Sequence, residues 1–92
     1  MLSQLPTDFT KVKRKNLDQE ILRAGMIAEL DAINFYEQMA QITTDLKIKE
    51  ALLDIAREEK THVGEFETLL LEKDKEQVKE MEEAKKEIKE MK

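Results

Sequence analysis

Apolar residues recur at helical spacing through most of the chain, starting near Asn16. Asn is a favoured N-cap, and Gln19 three residues later completes a capping box, so the sequence predicts that a first helix begins at Asn16. An apolar stripe then follows the 3.6-residue period as far as about residue 42. The stripe consists of Leu22, Met26, Ile33, Tyr36 and Ala40.

The polar residues 43–45 are typical of a helix–helix turn, because Thr and Asp side chains compete with helical hydrogen bonds and cap the next helix. A second helix is predicted over 46–71. After a short break at 72–74, a weakly apolar segment over 75–92 is expected to form a shorter helix that needs another surface to lie on. The sequence thus predicts an all-α fold: a flexible arm (1–15), an antiparallel two-helix hairpin (16–71) and a C-terminal amphipathic helix (75–92).

The amino-acid composition supports a helical fold and excludes several classes of function. The 92 residues include two glycines, one proline and no cysteine, which leaves little turn material for β folds and excludes thiolate metal sites and iron–sulfur clusters within these residues. A net charge of -5 argues against nucleic acid or an anionic membrane as partner. Without a long apolar run or an evident signal peptide, a cytoplasmic location is expected.

Three ionisable residues interrupt the apolar stripes: Glu29 in the first helix, and Glu59 and His62 in the second. A buried carboxylate is costly unless a cation or a hydrogen bond compensates it. If the chain reverses near residue 44, Glu29 and Glu59 each lie about 15 residues, or roughly 22 Å, from the turn. His62 lies on the same face as Glu59, so the hairpin is predicted to bring all three side chains together.

Carboxylate and imidazole ligands suit iron, manganese or zinc. Di-iron carboxylate bundles use four Glu and two His, which two copies of this hairpin would supply. A homodimer with two metal ions at its seam is therefore expected. One alternative is a non-catalytic helical oligomerisation module in which the same residues form a hydrogen-bonded network. Two roles are compatible with Tyr36: packing in the core, or a hydrogen bond to a ligand carboxylate. Two roles are also compatible with Asp31, which either is solvated or attracts cations to the site.

From Leu22 to Leu71 the sequence resembles the encapsulated ferritin family, a half-length branch of the ferritin-like superfamily. The resemblance is carried by residues 27–38, IAELDAINFYEQ, by residues 56–65, AREEKTHVGE, and by the spacing of 30 residues between Glu29 and Glu59. It implies that two hairpins dimerise into a ferritin-like four-helix bundle. It also implies that Glu29, Glu59 and His62 are the ferroxidase ligands and catalytic residues, with Tyr36 beside the centre.

Members of that family oxidise Fe(II) with dioxygen, assemble as rings of dimers such as decamers, and feed a mineral stored inside an encapsulin shell. By resemblance, this chain is expected to work in an encapsulin nanocompartment with two Fe per dimer interface. Asp31 matches an acidic position of the family's metal-entry region, whereas Ala28 replaces a second acid. The tail, 87–92, lacks an apolar shell-targeting peptide, which suggests a longer or fused chain, or another route to the shell. A rubrerythrin-like or di-manganese peroxide-reducing enzyme is a further alternative.

Overall fold

Three helices form the protein in a computed structural model that describes residues 8–11 and 13–91. A 3-10 turn, Phe9–Lys11, precedes α1 (Arg14–Ile42), α2 (Leu46–Lys73) and α3 (Lys75–Glu90). These ranges contain no strand, so the predicted all-α class is confirmed. Within the same ranges, no helix is both long and apolar enough to cross a membrane.

The turn between α1 and α2 lies at residues 43–45, where the sequence predicts it. Asp45 is the N-cap of α2, and its carboxylate accepts hydrogen bonds from the backbone N–H groups of Lys47 (2.9 Å) and Ile48 (3.0 Å). The Thr43 hydroxyl in turn accepts from the Asp45 N–H at 3.2 Å. This capped turn folds α2 back along α1 as an antiparallel hairpin.

The predicted start of the first helix is wrong. Helix α1 begins at Arg14 with Lys13 in the N-cap position, and no side chain caps it. Gln19 does not complete a capping box with Asn16, because its side-chain amide donates to the backbone carbonyl of Lys73 at 3.0 Å. A contact to the far end of α2 thus replaces the local cap. Most of the predicted flexible arm, residues 1–7 and 12, lies outside the described residues, and its last two residues belong to α1.

Helices α1 and α2 pack along their length, and small residues are prominent among the buried ones. Ala40 and Ala56 are 0% and 2% exposed. Ala24, Ile33 and Leu70 complete the set of buried apolar residues. A two-helix hairpin cannot enclose more, so large apolar residues on its outer sides stay exposed.

Asp74 alone separates α2 from α3, where the sequence predicts a break of three residues at 72–74. Its carboxylate accepts from the Gln77 N–H at 3.0 Å and lies 3.4 Å from the Arg23 guanidinium of α1. Helix α3 ends at Glu90, near the predicted end, and buries none of its residues. The sequence predicts that the narrow apolar stripe of α3 needs another surface, either its own hairpin or a partner chain, and on the hairpin it buries no residue.

Candidate metal centre

The hairpin brings Glu29, Glu59 and His62 together about midway along its length. One oxygen of each carboxylate and one imidazole nitrogen all lie within 4.8 Å of one another. His62 Nδ1 is 3.4 Å from Glu29 Oε2 and 3.5 Å from Glu59 Oε2. The register estimate from the turn thus places the three side chains at one height, and the helical faces place them on one seam.

The two glutamate side chains are largely buried, whereas the histidine side chain is about half exposed. The side chains of Glu29 and Glu59 are 22% and 19% exposed, whereas His62 is 46% exposed. The expectation that all three occupy core positions is therefore wrong for His62, which lies at the edge of the seam. Its ring is open towards one side of the hairpin.

An unpartnered oxygen shows how well this set suits a metal ion. Glu29 Oε2 is buried and, among the described residues, accepts no hydrogen bond. Ligands around one ion of the zinc or iron type, each about 2.0–2.2 Å from it, lie roughly 3–3.5 Å apart. The separations of 3.4 and 3.5 Å fall in that range. Two carboxylates and an imidazole are also the donors that intermediate divalent metals take.

Asp31 and Tyr36 stand apart from this cluster. Asp31 is not among the groups that converge, and its Oδ2 is buried without a hydrogen bond from the described residues. It is therefore not the freely solvated carboxylate that one alternative assumed. Tyr36 packs against Phe35, with ring centroids 5.7 Å apart, and none of the hydrogen bonds among the described residues joins its hydroxyl to a cluster carboxylate. Within one hairpin, Tyr36 is a packing residue.

An exposed row of residues runs through His62 along α2. The row contains Ile48, Ile55 and Leu69, which lie seven or fourteen residues from His62 in the sequence. These residues are 51%, 36% and 49% exposed. Seven residues are nearly two helical turns, so the four side chains follow one line along the helix. Helical geometry places Ile21 and Phe35 of α1, also exposed, on the same side of the hairpin. The open edge of the metal cluster thus lies on a row of exposed apolar residues.

The sequence places two glycines, Gly25 and Gly64, inside predicted helices, where glycine costs stability but allows helices to approach closely. A Cβ atom on Gly25 would lie 2.8 Å from two ring carbons of Phe66, whereas one on Gly64 would meet nothing within 4 Å. The signal in the sequence was a glycine inside a strongly helical pattern, but it marks both residues equally. Only the packed helices distinguish them.

A helical hairpin with a Glu/His cluster on its seam is the architecture of ferritin-like proteins, half of a four-helix bundle. The chain belongs to the rubrerythrin family, whose model matches residues 20–92. It is 52% identical over 93 residues to a ferritin-like–encapsulin shell fusion protein of Pyrococcus furiosus. That match covers 99% of this chain and 27% of the fusion protein, so the chain spans about a quarter of its relative's length.

A solved structure agrees with the sequence match. The crystal structure of the encapsulated ferritin domain from Pyrococcus furiosus superimposes with a TM-score of 0.84 at 50% identity. The superposition covers 99% of this chain and 95% of the crystallised one. The ferritin-like fold and the resemblance to encapsulated ferritins are thereby confirmed.

Proposed function

We propose that this chain is a ferroxidase that oxidises Fe(II) to Fe(III) at a di-iron site shared by two copies. The observation that carries the proposal is the convergence of Glu29, Glu59 and His62 within 4.8 Å, with one buried glutamate oxygen unpartnered. Glu29 and Glu59 would bind the substrate iron through oxygen, and His62 through nitrogen. Manganese or zinc are possible substitutes, because they accept the same donors.

Two copies are needed because one hairpin offers only half of a di-iron ligand set. The half-exposed His62 lies in the exposed apolar row with Ile55 and Leu69. If a second hairpin covers that row, each copy adds two carboxylates and one imidazole to a shared centre. Four carboxylates then balance the charge of two divalent ions, which stabilises both the ions and the seam.

The chain's contribution to oxidation is to hold two substrate ions side by side. The two Fe(II) ions give up one electron each, and one dioxygen accepts these two electrons with two protons from solvent to form hydrogen peroxide. Carboxylates favour the more highly charged Fe(III), because hard anionic oxygen ligands stabilise it more than Fe(II). Because the two glutamate side chains are largely buried, water screens their negative charge less, which strengthens the preference for Fe(III) over Fe(II).

Two relatives support an association of this chain with an encapsulin shell. One relative is fused to an encapsulin shell protein, and the solved domain is described as encapsulated. We therefore place this chain inside an encapsulin nanocompartment in the cytoplasm, as a ring of dimers such as a decamer that delivers Fe(III) to the enclosed space. An open helical assembly has no closed cavity of its own, so storage depends on the shell.

Aerobic Fe(II) oxidation, followed by Fe(III) absorbance, tests the ferroxidase proposal. Glu59→Ala and His62→Ala should each reduce the rate to that of iron in buffer, because each removes a direct ligand from both halves of the centre. Glu50→Ala is the matched control, since it removes an exposed carboxylate from the same helix. Oxidation at the native rate in both ligand variants would exclude this site.

The family name favours one alternative, a peroxide-reducing enzyme of the rubrerythrin kind. The same protein should be supplied with Fe(II) and either dioxygen or hydrogen peroxide, and the consumption of each oxidant followed. A ferroxidase consumes dioxygen readily without added peroxide. Efficient turnover with peroxide alone would favour the alternative, and no turnover with either oxidant would favour a non-catalytic oligomerisation module.

A further inference from the structure

Gly25 and Phe66 form a tight contact one helical turn from the candidate metal centre. Gly25 precedes Glu29 by four residues in α1, and Phe66 follows His62 by four residues in α2. Residues four apart on a helix are direct neighbours on one face. The contact is therefore the adjoining layer of the same helix–helix seam.

The ring occupies space that only glycine leaves free. A Cβ atom on Gly25 would lie 2.8 Å from both Cε1 and Cζ of Phe66 and 3.0 Å from Cδ1. Carbon atoms pack at about 3.5–4.0 Å, so a methyl group there would force the ring to turn or the helices to separate. Phe has only two side-chain torsions, and its ring is half-buried between the helices, which limits how it can yield.

Gly64 shows that a helical glycine need not have this role. It lies in α2 two residues from His62, but space for a Cβ atom is open around it. A glycine inside a helix destabilises that helix relative to alanine wherever it lies. Only at Gly25 does the packing offer a compensating gain, which is the closer approach of α1 and α2.

Metal ligands are sensitive to such spacing. The Glu29 and His62 atoms that face each other are 3.4 Å apart, already at the separation that one shared ion requires. Glu29 is on α1 and His62 is on α2, so any change in the distance between the helices alters this separation directly. Displacements of about 0.5–1 Å are enough to spoil a metal or catalytic geometry.

We propose that Gly25 and Phe66 are positioning residues that set the distance between α1 and α2 at the metal centre. The inference rests on the proposed function, because it assumes that Glu29, Glu59 and His62 bind metal. Neither positioning residue touches the ion. Phe66 acts as a spacer, and Gly25 is the gap that receives it.

Anaerobic titration with Co(II) tests this inference, because Co(II) does not require dioxygen and its visible spectrum reports the ligand geometry. Gly25→Ala should weaken Co(II) binding about 10-fold or more and change the visible spectrum, as is typical for residues that orient metal ligands. Gly64→Ala, the matched control, should stay within two-fold of the native chain. Gly25→Ala combined with Phe66→Leu should regain affinity, because the smaller side chain leaves room for the methyl group.

The outcomes separate the two proposals. If the native chain does not bind Co(II), the proposed metal centre fails and the positioning role fails with it. If the native chain binds but Gly25→Ala binds within two-fold of Gly64→Ala, only the positioning role is overturned. If Gly25→Ala loses its helical circular dichroism signal, the positioning role is tested instead by comparing Phe66→Leu with the double variant. The double variant must then bind Co(II) more tightly than Phe66→Leu alone, and equal or weaker binding overturns the proposal.

Discussion

At the scale of single residues, alanine substitutions at Gly25 and Gly64 are expected to change the stability of the protein in opposite directions. Replacing a helical glycine by alanine stabilises a helix by about 0.5–1 kcal/mol where the side chain has room. We expect Gly64→Ala to raise the free energy of unfolding by that amount. Gly25→Ala should lower it by about 1–3 kcal/mol, because overpacking against Phe66 outweighs the gain in helix propensity.

Urea denaturation of both glycine variants in the presence of a chelator, at one fixed protein concentration, measures this difference without any contribution from metal. Phe66→Leu in the Gly25→Ala background should recover part of the loss. Stabilisation of similar size by both alanine substitutions would show that the ring moves aside freely.

The sequence predicts the candidate ligands because their signal is local and periodic. Glu29, Glu59 and His62 interrupt apolar stripes, and counting residues from the turn places them at one height. The exposure of His62 does not follow from such counting, because it depends on which side of each helix meets the other. The contact that Gln19 makes does not follow from the sequence for a related reason. Its partner, the Lys73 carbonyl, is 54 residues away and leaves no local pattern.

At the scale of helices, the existence of each element follows from periodicity, whereas its exact ends depend on the particular residues at its termini. Helix α2 starts where Asp45 caps it, as the sequence indicates. It runs to Lys73, beyond the predicted end at 71, because Asp74 rather than the preceding polar residues interrupts the helix. Helix α1 starts at Arg14 without a side-chain cap, so cap preference alone does not locate its first residue.

The junction between α2 and α3 offers a prediction at this scale. Asp74 caps α3 through the Gln77 N–H and faces Arg23 at 3.4 Å. Asp74→Ala should destabilise the start of α3 by about 1 kcal/mol, which is roughly five-fold faster hydrogen exchange of its amides. Asp74→Asn retains a capping oxygen and loses only a partly exposed ion pair of little energetic value, so its exchange should stay near native. Equal acceleration in both variants would mean that the ion pair, and not the cap, holds the junction.

At the scale of the whole molecule, the fold is an incomplete bundle. The hairpin leaves Ile48, Ile55 and Leu69 exposed on the side where His62 opens, and Leu30 and Leu53 exposed elsewhere. Sequence periodicity places the four α2 residues among these on apolar stripes of the second helix, but it does not say whether the covering surface belongs to the same chain. The hairpin itself is too small to cover them, so we expect a second copy of the chain to do so.

Metal binding and assembly should therefore be coupled. In the proposed dimer without metal, four carboxylates would face each other across the dimer interface, and their repulsion should weaken association. An ion that binds only the dimer stabilises it by linkage, by about 2.7 kcal/mol per site at a free concentration of 100 times its dissociation constant. Analytical ultracentrifugation should thus show larger species with anaerobic Fe(II) than with chelator, at the same protein concentration. Glu29→Ala should blunt that shift, because it removes one ligand from each side of the seam.

Two leucines with similar exposure test which side of the hairpin forms the seam. Leu69, 49% exposed, lies in the row that contains His62, and Leu53, 45% exposed, lies on the other side of α2. Leu69→Glu should prevent the metal-dependent formation of dimers, since it places a charge in the apolar row that the second copy is expected to cover. Leu53→Glu should leave dimers intact, even if it limits larger rings. Identical mass distributions in chelator and in metal for the native chain would refute the coupling. A loss of dimers in Leu53→Glu but not in Leu69→Glu would place the seam on the opposite side and leave the open edge of His62 without a partner.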